Sequence, residues 1–89
     1  MEMLRKGDRV QVREWIDMEH EFGLNENGDI DTLYAFLNEM DILCGQYATV
    51  LDIISVDGDV QTIKVQPNKE NETFDWDWMF TNEMFNKVK

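Results

Sequence analysis

The sequence predicts a single, mainly β domain with short helices, spanning residues 1–89. Three observations favour this class. Two segments rich in β-branched residues flank an Asp-Gly pair, as the strands of a β-hairpin do. Two other segments alternate apolar and polar residues with the period of a half-buried strand. A chain of 89 residues, 43% of them hydrophobic, has apolar material for one core and too little for two.

The first strand and the first helix are expected to follow each other directly. In "RVQVR", Val10 and Val12 alternate with long polar residues, which predicts a half-buried strand. From Glu14 to Phe22 apolar residues recur at helical spacing and a glycine follows, which predicts a short helix. The polar segment "LNENGDID" then predicts a loop with Asn27-Gly28 as its tight turn. The apolar stripe of the helix consists of Trp15, Met18 and Phe22.

The segment "DTLYAFLNEMDILCG", residues 31–45, permits two interpretations. Its apolar residues recur with a helical period, but Tyr34 and Phe36 could also end a short strand. Residues 38–43 are predicted as a helix, whereas residues 33–37 stay open between helix and strand.

The second half of the chain contains the clearest strand signals. "YATVLDIIS" and "VQTIKVQ" predict a hairpin with Asp57-Gly58 as its tight turn, because Asp-Gly supplies the positive φ angles that such turns need. The later segment "TFDWDWMF" alternates cleanly and predicts a closing strand, followed by a short helix or turn. The residues sharing one face of that strand are Phe74, Trp76, Trp78 and Phe80.

Two pentapeptides, "FLNEM" at 36–40 and "FTNEM" at 80–84, nearly repeat each other. Five residues are too few for a duplicated domain, so we interpret the repeat as one structural device used twice. In this device an aromatic strand turns into a short helix, and the Met lies about one helical turn beyond the Phe, directed into the same core. Thr81 is a suitable N-cap for the second turn, whereas Leu37 cannot cap the first.

The charge distribution narrows the function classes. There are 19 acidic and 8 basic residues, for a net charge of −11, and no lysine or arginine lies between Arg13 and Lys64. Such a chain repels phosphates, so direct binding to nucleic acid or to an anionic membrane is not expected. No apolar run approaches the roughly 20 residues of a membrane helix, and the opening residues contain no apolar signal core. A cytoplasmic protein is therefore expected.

Groups suited to catalysis or metal binding are few. The loop around Gly28 resembles a calcium loop, but Gly23 and Tyr34 occupy the positions that need an aspartate and a bidentate glutamate. His20 and Cys44 are the only residues of their kinds, and no glycine-rich oxyanion segment accompanies them. We therefore expect no enzyme, no metal and no cofactor, with His20 facing solvent and Cys44 acting as a small buried hydrophobe.

The order of the elements resembles an SH3-like small barrel with a long helical excursion between the first two strands. Three patterns are similar to a group of small, uncharacterised bacteriophage and prophage proteins: "W-x-x-M-x-x-E-F-G" from Trp15, "M-x-x-L-C-G" from Met40 and "W-x-F-T-x-E-M" from Trp78. The resemblance covers roughly residues 6 to 85. It implies a barrel, a phage or its bacterial host as the context, and no catalytic residues.

The predicted function is a non-enzymatic, phage-encoded protein-interaction module that binds a host or phage protein as a monomer or weak dimer. One route is a groove of exposed aromatic residues, for which the candidates are Tyr34, Trp76 and Trp78. Burial of these tryptophans in the core is the other interpretation. The acidic arm, residues 14–42, supplies the remaining candidates: Glu19, Glu21, Asp29 and Asp31. The alternative function is an acidic inhibitor that mimics nucleic acid and blocks a basic host enzyme.

Overall fold

Five strands form one antiparallel sheet in the order β4-β3-β2-β1-β5 in the computed structural model, which describes residues 3–67 and 79–88. Over these two ranges the sheet is open, with β4 and β5 at its edges. One α-helix, α1, and two 3-10 helices, η1 and η2, complete the fold. The mainly β class with short helices is confirmed. The elements are β1 (Arg9–Val12), α1 (Trp15–Phe22), η1 (Asn38–Leu43), β2 (Tyr47–Asp57), β3 (Val60–Pro67), β4 (Phe80–Thr81), η2 (Asn82–Met84) and β5 (Phe85–Lys87).

The alternation predicted for β1 is confirmed. Val10 and Val12 are buried, and the strand pairs with β2 on one side and β5 on the other. Arg13, the next residue after the strand, departs from the predicted polar, solvent-facing row because it is also buried. Its guanidinium donates hydrogen bonds to Asp17 and Glu21 of α1.

Helix α1 confirms the prediction over all but its first residue, Glu14, which is extended and precedes the helix. Gly23 follows with a φ of 74°, a backbone angle that glycine adopts readily. Met18 is fully buried, while Trp15 and Phe22 pack against the core from its rim. His20 is exposed, as expected.

The connection from α1 to β2 resolves the segment that the sequence left open. Residues 33–37 form neither helix nor strand, and Phe36 makes an isolated bridge with Ile30. The helix predicted from Asn38 is present with the predicted bounds, in 3-10 form. The preceding loop turns from Asn25 to Gly28, where the Gly28 N–H donates to the Asn25 carbonyl at 3.0 Å.

The hairpin of β2 and β3 is confirmed, but its turn lies one residue later than predicted. Asp57 pairs with Val60, so the two turn residues are Gly58 and Asp59. Among the described residues only glycines have a positive φ, and Gly58 has a φ of 61°. This matches a type II′ turn, which needs glycine at its first central position, and excludes type I′.

The interpretation of the repeated pentapeptide is confirmed in part. Both copies lead into a 3-10 helix, but only Phe80 ends a strand, whereas Phe36 forms an isolated bridge. Phe36 and Phe80 are each followed by one extended residue and then by a 3-10 helix that begins at the Asn. Met40 and Met84 are both fully buried in the same core cluster. The prediction that Thr81 caps η2 is wrong in one respect: Thr81 occupies the N-cap position, but its hydroxyl donates to the Glu83 carboxylate instead of accepting from the helix backbone.

The core is one cluster of buried apolar side chains from every strand and from the α1, η1 and η2 segments. The aromatic strand was expected over residues 73–80; residues 73–78, including Phe74, Trp76 and Trp78, lie outside the described residues, and Phe80 lies in β4. Within the part of the chain that the structure describes, no helix combines the length and apolarity that crossing a membrane requires. The cluster comprises Leu4, Val10, Val12, Met18, Ile30, Phe36, Met40, Leu43, Ala48, Val50, Ile63, Val65, Phe80, Met84 and Phe85.

Candidate functional site

Of the three aromatic candidates, the structure describes only Tyr34. Its side chain is 40% exposed, and that of the neighbouring Leu33 is 52% exposed. Trp76 and Trp78 lie outside the described residues, so their assignment to a groove or to the core stays a prediction. We call Asp31, Leu33 and Tyr34 the loop platform, because these three exposed residues share one short loop.

The backbone of the loop platform is held by buried polar groups. The Thr32 hydroxyl, in a buried side chain, donates to the Tyr34 carbonyl at 2.9 Å. The Leu33 N–H donates to Oε1 of Glu83 at 3.1 Å, and the Thr81 hydroxyl donates to the same oxygen at 3.1 Å. Glu83 is itself buried, so a carboxylate from η2 fixes the loop from beneath. The loop is therefore ordered without burying Leu33 or Tyr34.

Three of the four acidic candidates serve internal hydrogen bonds. Glu21 accepts from Arg13, and Glu19 accepts from the indole N–H of Trp15 at 3.2 Å. Asp29 is buried and accepts from the Asn38 N–H at 2.8 Å, which joins the loop to the start of η1. The fourth candidate, Asp31, is exposed and belongs to the loop platform. The acidic arm is thus in large part a structural element.

Arg13 is the site residue that the sequence analysis missed. Its Nε donates to Asp17 at 2.8 Å, its Nη2 to Glu21 at 2.9 Å and its Nη1 to the Glu83 carbonyl at 3.0 Å. The guanidinium also lies over the Phe22 ring, 5.5 Å from its centroid. Arg13 therefore ties α1 to η2, the helix that holds the loop platform. The spacing of an arginine four and eight residues before two acids on a helix was the signal that could have revealed it.

The electrostatics of this cluster follow from its hydrogen bonds. Burial alone lowers the pKa of Arg13, but the hydrogen bonds to Asp17 and Glu21 outweigh it, and the pKa is raised. The hydrogen bond from Arg13 in turn lowers the pKa of Asp17. Both acids are about half exposed, at 55% for Asp17 and 48% for Glu21. Arg13 and Asp17 are therefore ionised at neutral pH, and Arg13 positions the neighbouring elements by charge-assisted hydrogen bonds.

A cleft of about 190 Å³ lies beside α1, lined by Trp15, Asn38 and Asp41. The Trp15 ring packs against Phe36 with centroids 6.1 Å apart. Near it, burial and the charges of Asp41 and Glu14 raise the pKa of the Cys44 thiol to about 11. The thiol is therefore protonated at neutral pH and is a weak nucleophile. Within the described ranges, no group of three or more His, Cys, Asp or Glu residues is placed to hold a metal ion.

Similarity to known proteins gives no indication of the function of this chain. No family model, curated protein or solved structure matches this chain. The exposed groups, their surroundings and their charges are therefore the basis for inferring its function.

Proposed function

We propose that this protein is a non-enzymatic protein-interaction domain whose loop platform contacts a partner protein. The observation that carries the proposal is the pairing of exposed apolar side chains with a fixed backbone. Leu33 and Tyr34 are 52% and 40% exposed, yet their loop is held by Thr32 and by the buried Glu83. Exposed apolar residues on an ordered loop are typical of recognition surfaces.

The burial of Glu83 supports this interpretation. A carboxylate removed from water is costly unless it is hydrogen-bonded, and here it accepts from the Leu33 N–H and the Thr81 hydroxyl. This arrangement fixes the backbone of a loop whose Leu33 and Tyr34 side chains face solvent. A loop already held in one conformation loses less entropy when it binds, which favours affinity.

The surroundings of the loop platform indicate the chemistry of the partner. Asp31 is exposed on the platform itself, and the half-exposed Asp17 and Glu21 share the single positive charge of Arg13. An apolar patch with a basic rim fits such a surface. In keeping with the resemblance of the sequence patterns, we propose that the protein is phage-encoded and that the partner is a host or phage protein in the bacterial cytoplasm.

We further propose that the sheet curls into an SH3-like barrel. β4 and β5 are at opposite edges of the five-stranded order, yet only η2 separates them along the chain. In a flat sheet the edge strands would be about 19 Å apart. The four residue steps from Thr81 to Phe85 span about 14 Å even when fully extended. The sheet must therefore curl enough to bring its two edge strands within the reach of this connection. Two register shifts in β2 bend that strand and favour such curling.

The two groups best suited to nucleophilic catalysis support a non-enzymatic function. Cys44 has a pKa of about 11, raised by burial and by the charges of Asp41 and Glu14, and is protonated at neutral pH. His20 is exposed on α1. A thiol that stays protonated at neutral pH is a weak nucleophile unless an adjacent base activates it.

The test is a pull-down from nuclease-treated bacterial host lysate with three tagged proteins: the wild type, the double variant Leu33→Ser/Tyr34→Ala, and Ile42→Ser. Ile42 is a matched control because it is 53% exposed and belongs to η1, not to the loop platform. We expect the wild type and Ile42→Ser to retain the same protein at high salt and the double variant to lose it, with all three equally folded by circular dichroism.

Retention of that protein by the double variant would show that the loop platform is not the contact surface. A captured protein that normally binds nucleic acid and is released by high salt would instead support the alternative, the acidic inhibitor, because contacts between exposed charges are screened by salt.

A further inference from the structure

The distal half of β2, residues 51–57, has an outer side that the described strands do not cover. β1 pairs with β2 only from Tyr47 to Thr49, and the last bonds across this boundary join Gly7 and Asp8 to Val50. Beyond that point, β3 is the one described strand that pairs with β2. We call residues 51–57 the β2 edge.

The residues of β3 near the hairpin turn are more buried than their partners on β2, as expected if that side of β2 is a free edge. On β3, residues 61–63 are buried, because β4 and η2 pack on that side of the hairpin. Their partners on β2 include Ser55 and Val56, which are exposed. Three apolar side chains of the β2 edge face solvent: Leu51 at 42%, Ile54 at 51% and Val56 at 57% exposure. An apolar strand with one open side is a template for another strand.

The β2 edge carries features that oppose pairing with a copy of itself. The exposed carboxylates of Asp52 and Asp57 lie among its apolar residues. Two such edges brought together would face carboxylate against carboxylate, in a chain with a net charge of −11. The only basic residue directly across the hairpin is Lys64, opposite Asp52. The same charges that repel a second copy attract a basic segment.

We propose that the β2 edge binds an extended segment of a partner protein in which basic and apolar residues alternate, by adding it as a further strand. Backbone hydrogen bonds supply affinity in this mode, and the side chains that flank them supply selectivity. Lysine or arginine side chains of the added strand would meet Asp52 and Asp57, and its apolar side chains would cover Ile54 and Val56. This surface is separate from the loop platform and does not depend on the function proposed for it.

The probe is the synthetic peptide Lys-Val-Lys-Val-Lys-Val-Lys, followed in ¹H–¹⁵N spectra of the full chain. We expect chemical-shift changes concentrated in the amides of residues 51–57, with slower hydrogen exchange there. The same peptide with every backbone amide nitrogen methylated cannot donate those hydrogen bonds from either edge and is expected to bind at least 10-fold more weakly. Equal binding of the methylated peptide, or shifts spread elsewhere, would overturn the proposal.

Two charge variants separate the β2 edge from general attraction to an acidic protein. Asp52→Asn/Asp57→Asn and the matched control Glu26→Gln/Glu39→Gln remove the same net charge from exposed positions. We expect the first to weaken peptide binding about 3- to 10-fold and the control to leave it within about 2-fold. Equal weakening would refute a specific site. A dimer in sedimentation equilibrium at high salt, with residues 51–57 protected from exchange, would instead identify a second copy as the occupant.

Discussion

Asn82 and Asn38 occupy the same position in the two repeated pentapeptides but should differ sharply in their contribution to stability. Asn82 is 1% exposed; its Oδ1 accepts from the Gln61 N–H at 2.9 Å and its Nδ2 donates to the Asp59 carbonyl at 3.0 Å. Asn82 thereby adds hydrogen bonds to the start of β3 and to the hairpin turn, beyond the two residues of β4 that pair with β3. Asn38 is exposed, and only its backbone N–H, which alanine retains, donates to Asp29.

The structure gives the magnitude for Asn82→Ala. Losing the first bond leaves the buried Gln61 N–H unpaired, at about 1–2 kcal/mol, and losing the second, at the exposed turn, costs about 1 kcal/mol. The free energy of unfolding should therefore fall by about 2–3 kcal/mol. For a domain of this size that corresponds to a decrease in Tm of about 10–20 °C. Asn38→Ala should change the free energy of unfolding by no more than about 0.5 kcal/mol.

The assay is urea unfolding of both variants and the wild type, followed by circular dichroism, with the slopes of the transitions compared. Equal slopes would show that the differences in midpoint report stability. If Asn38→Ala destabilises the protein as much as Asn82→Ala, the two pentapeptides do the same structural work and the reasoning from burial is refuted.

Further predictions concern Glu83, Asp17 and Cys44. Glu83→Ala should lower the free energy of unfolding by about 1–3 kcal/mol and speed exchange of the Leu33 amide, while Glu39→Ala, the exposed counterpart in η1, should do neither. Arg13 lowers the pKa of Asp17 in the folded state, so the ionised form favours folding. The stability advantage of the wild type over Asp17→Asn should be present above about pH 4 and vanish as the pH falls below it, in urea titrations at several pH values; a constant difference would contradict this. Burial raises the pKa of Cys44 to about 11, so the stability that this thiol contributes should be lost between about pH 9 and pH 11, relative to Cys44→Ala. Its alkylation by iodoacetamide at pH 8 should be slow in the folded protein and fast in urea; equal rates would show that the thiol is not protected.

Local patterns predicted most of the fold. The valines of β1, the helical spacing of Trp15, Met18 and Phe22, and the β-branched hairpin each encode an element within a few residues of sequence. The pentapeptide repeat was also readable, because a Phe and a Met separated by one turn mark the same change of conformation twice. The hairpin turn was misplaced by one residue, since Asp57-Gly58 and Gly58-Asp59 are both acceptable turn pairs and strand register decides between them.

The candidate site was less predictable. Tyr34 and Asp31 were identified from residue type and are exposed, but residue type also selected Glu19, Glu21 and Asp29, which the structure assigns to internal hydrogen bonds. Whether a carboxylate faces a partner or an internal donor depends on groups that are distant in sequence. Glu83 illustrates this, because the Leu33 N–H that it fixes lies fifty residues away.

The sequence by itself determined most of the elements, their order along the chain and the acidic character of this protein, because periodicity, turn residues and charge act over short distances. It did not indicate β5, which follows η2 and pairs with β1. Only the tertiary structure decided which polar groups are buried together. Arg13 joins α1 to η2, Asn82 joins the hairpin turn to η2, and Glu83 holds the loop platform. The tertiary structure also leaves Leu33, Tyr34 and the β2 edge exposed. The physical reason is that a buried polar group must find its partner wherever the folded chain brings one, and that partner is set by packing and not by neighbouring residues.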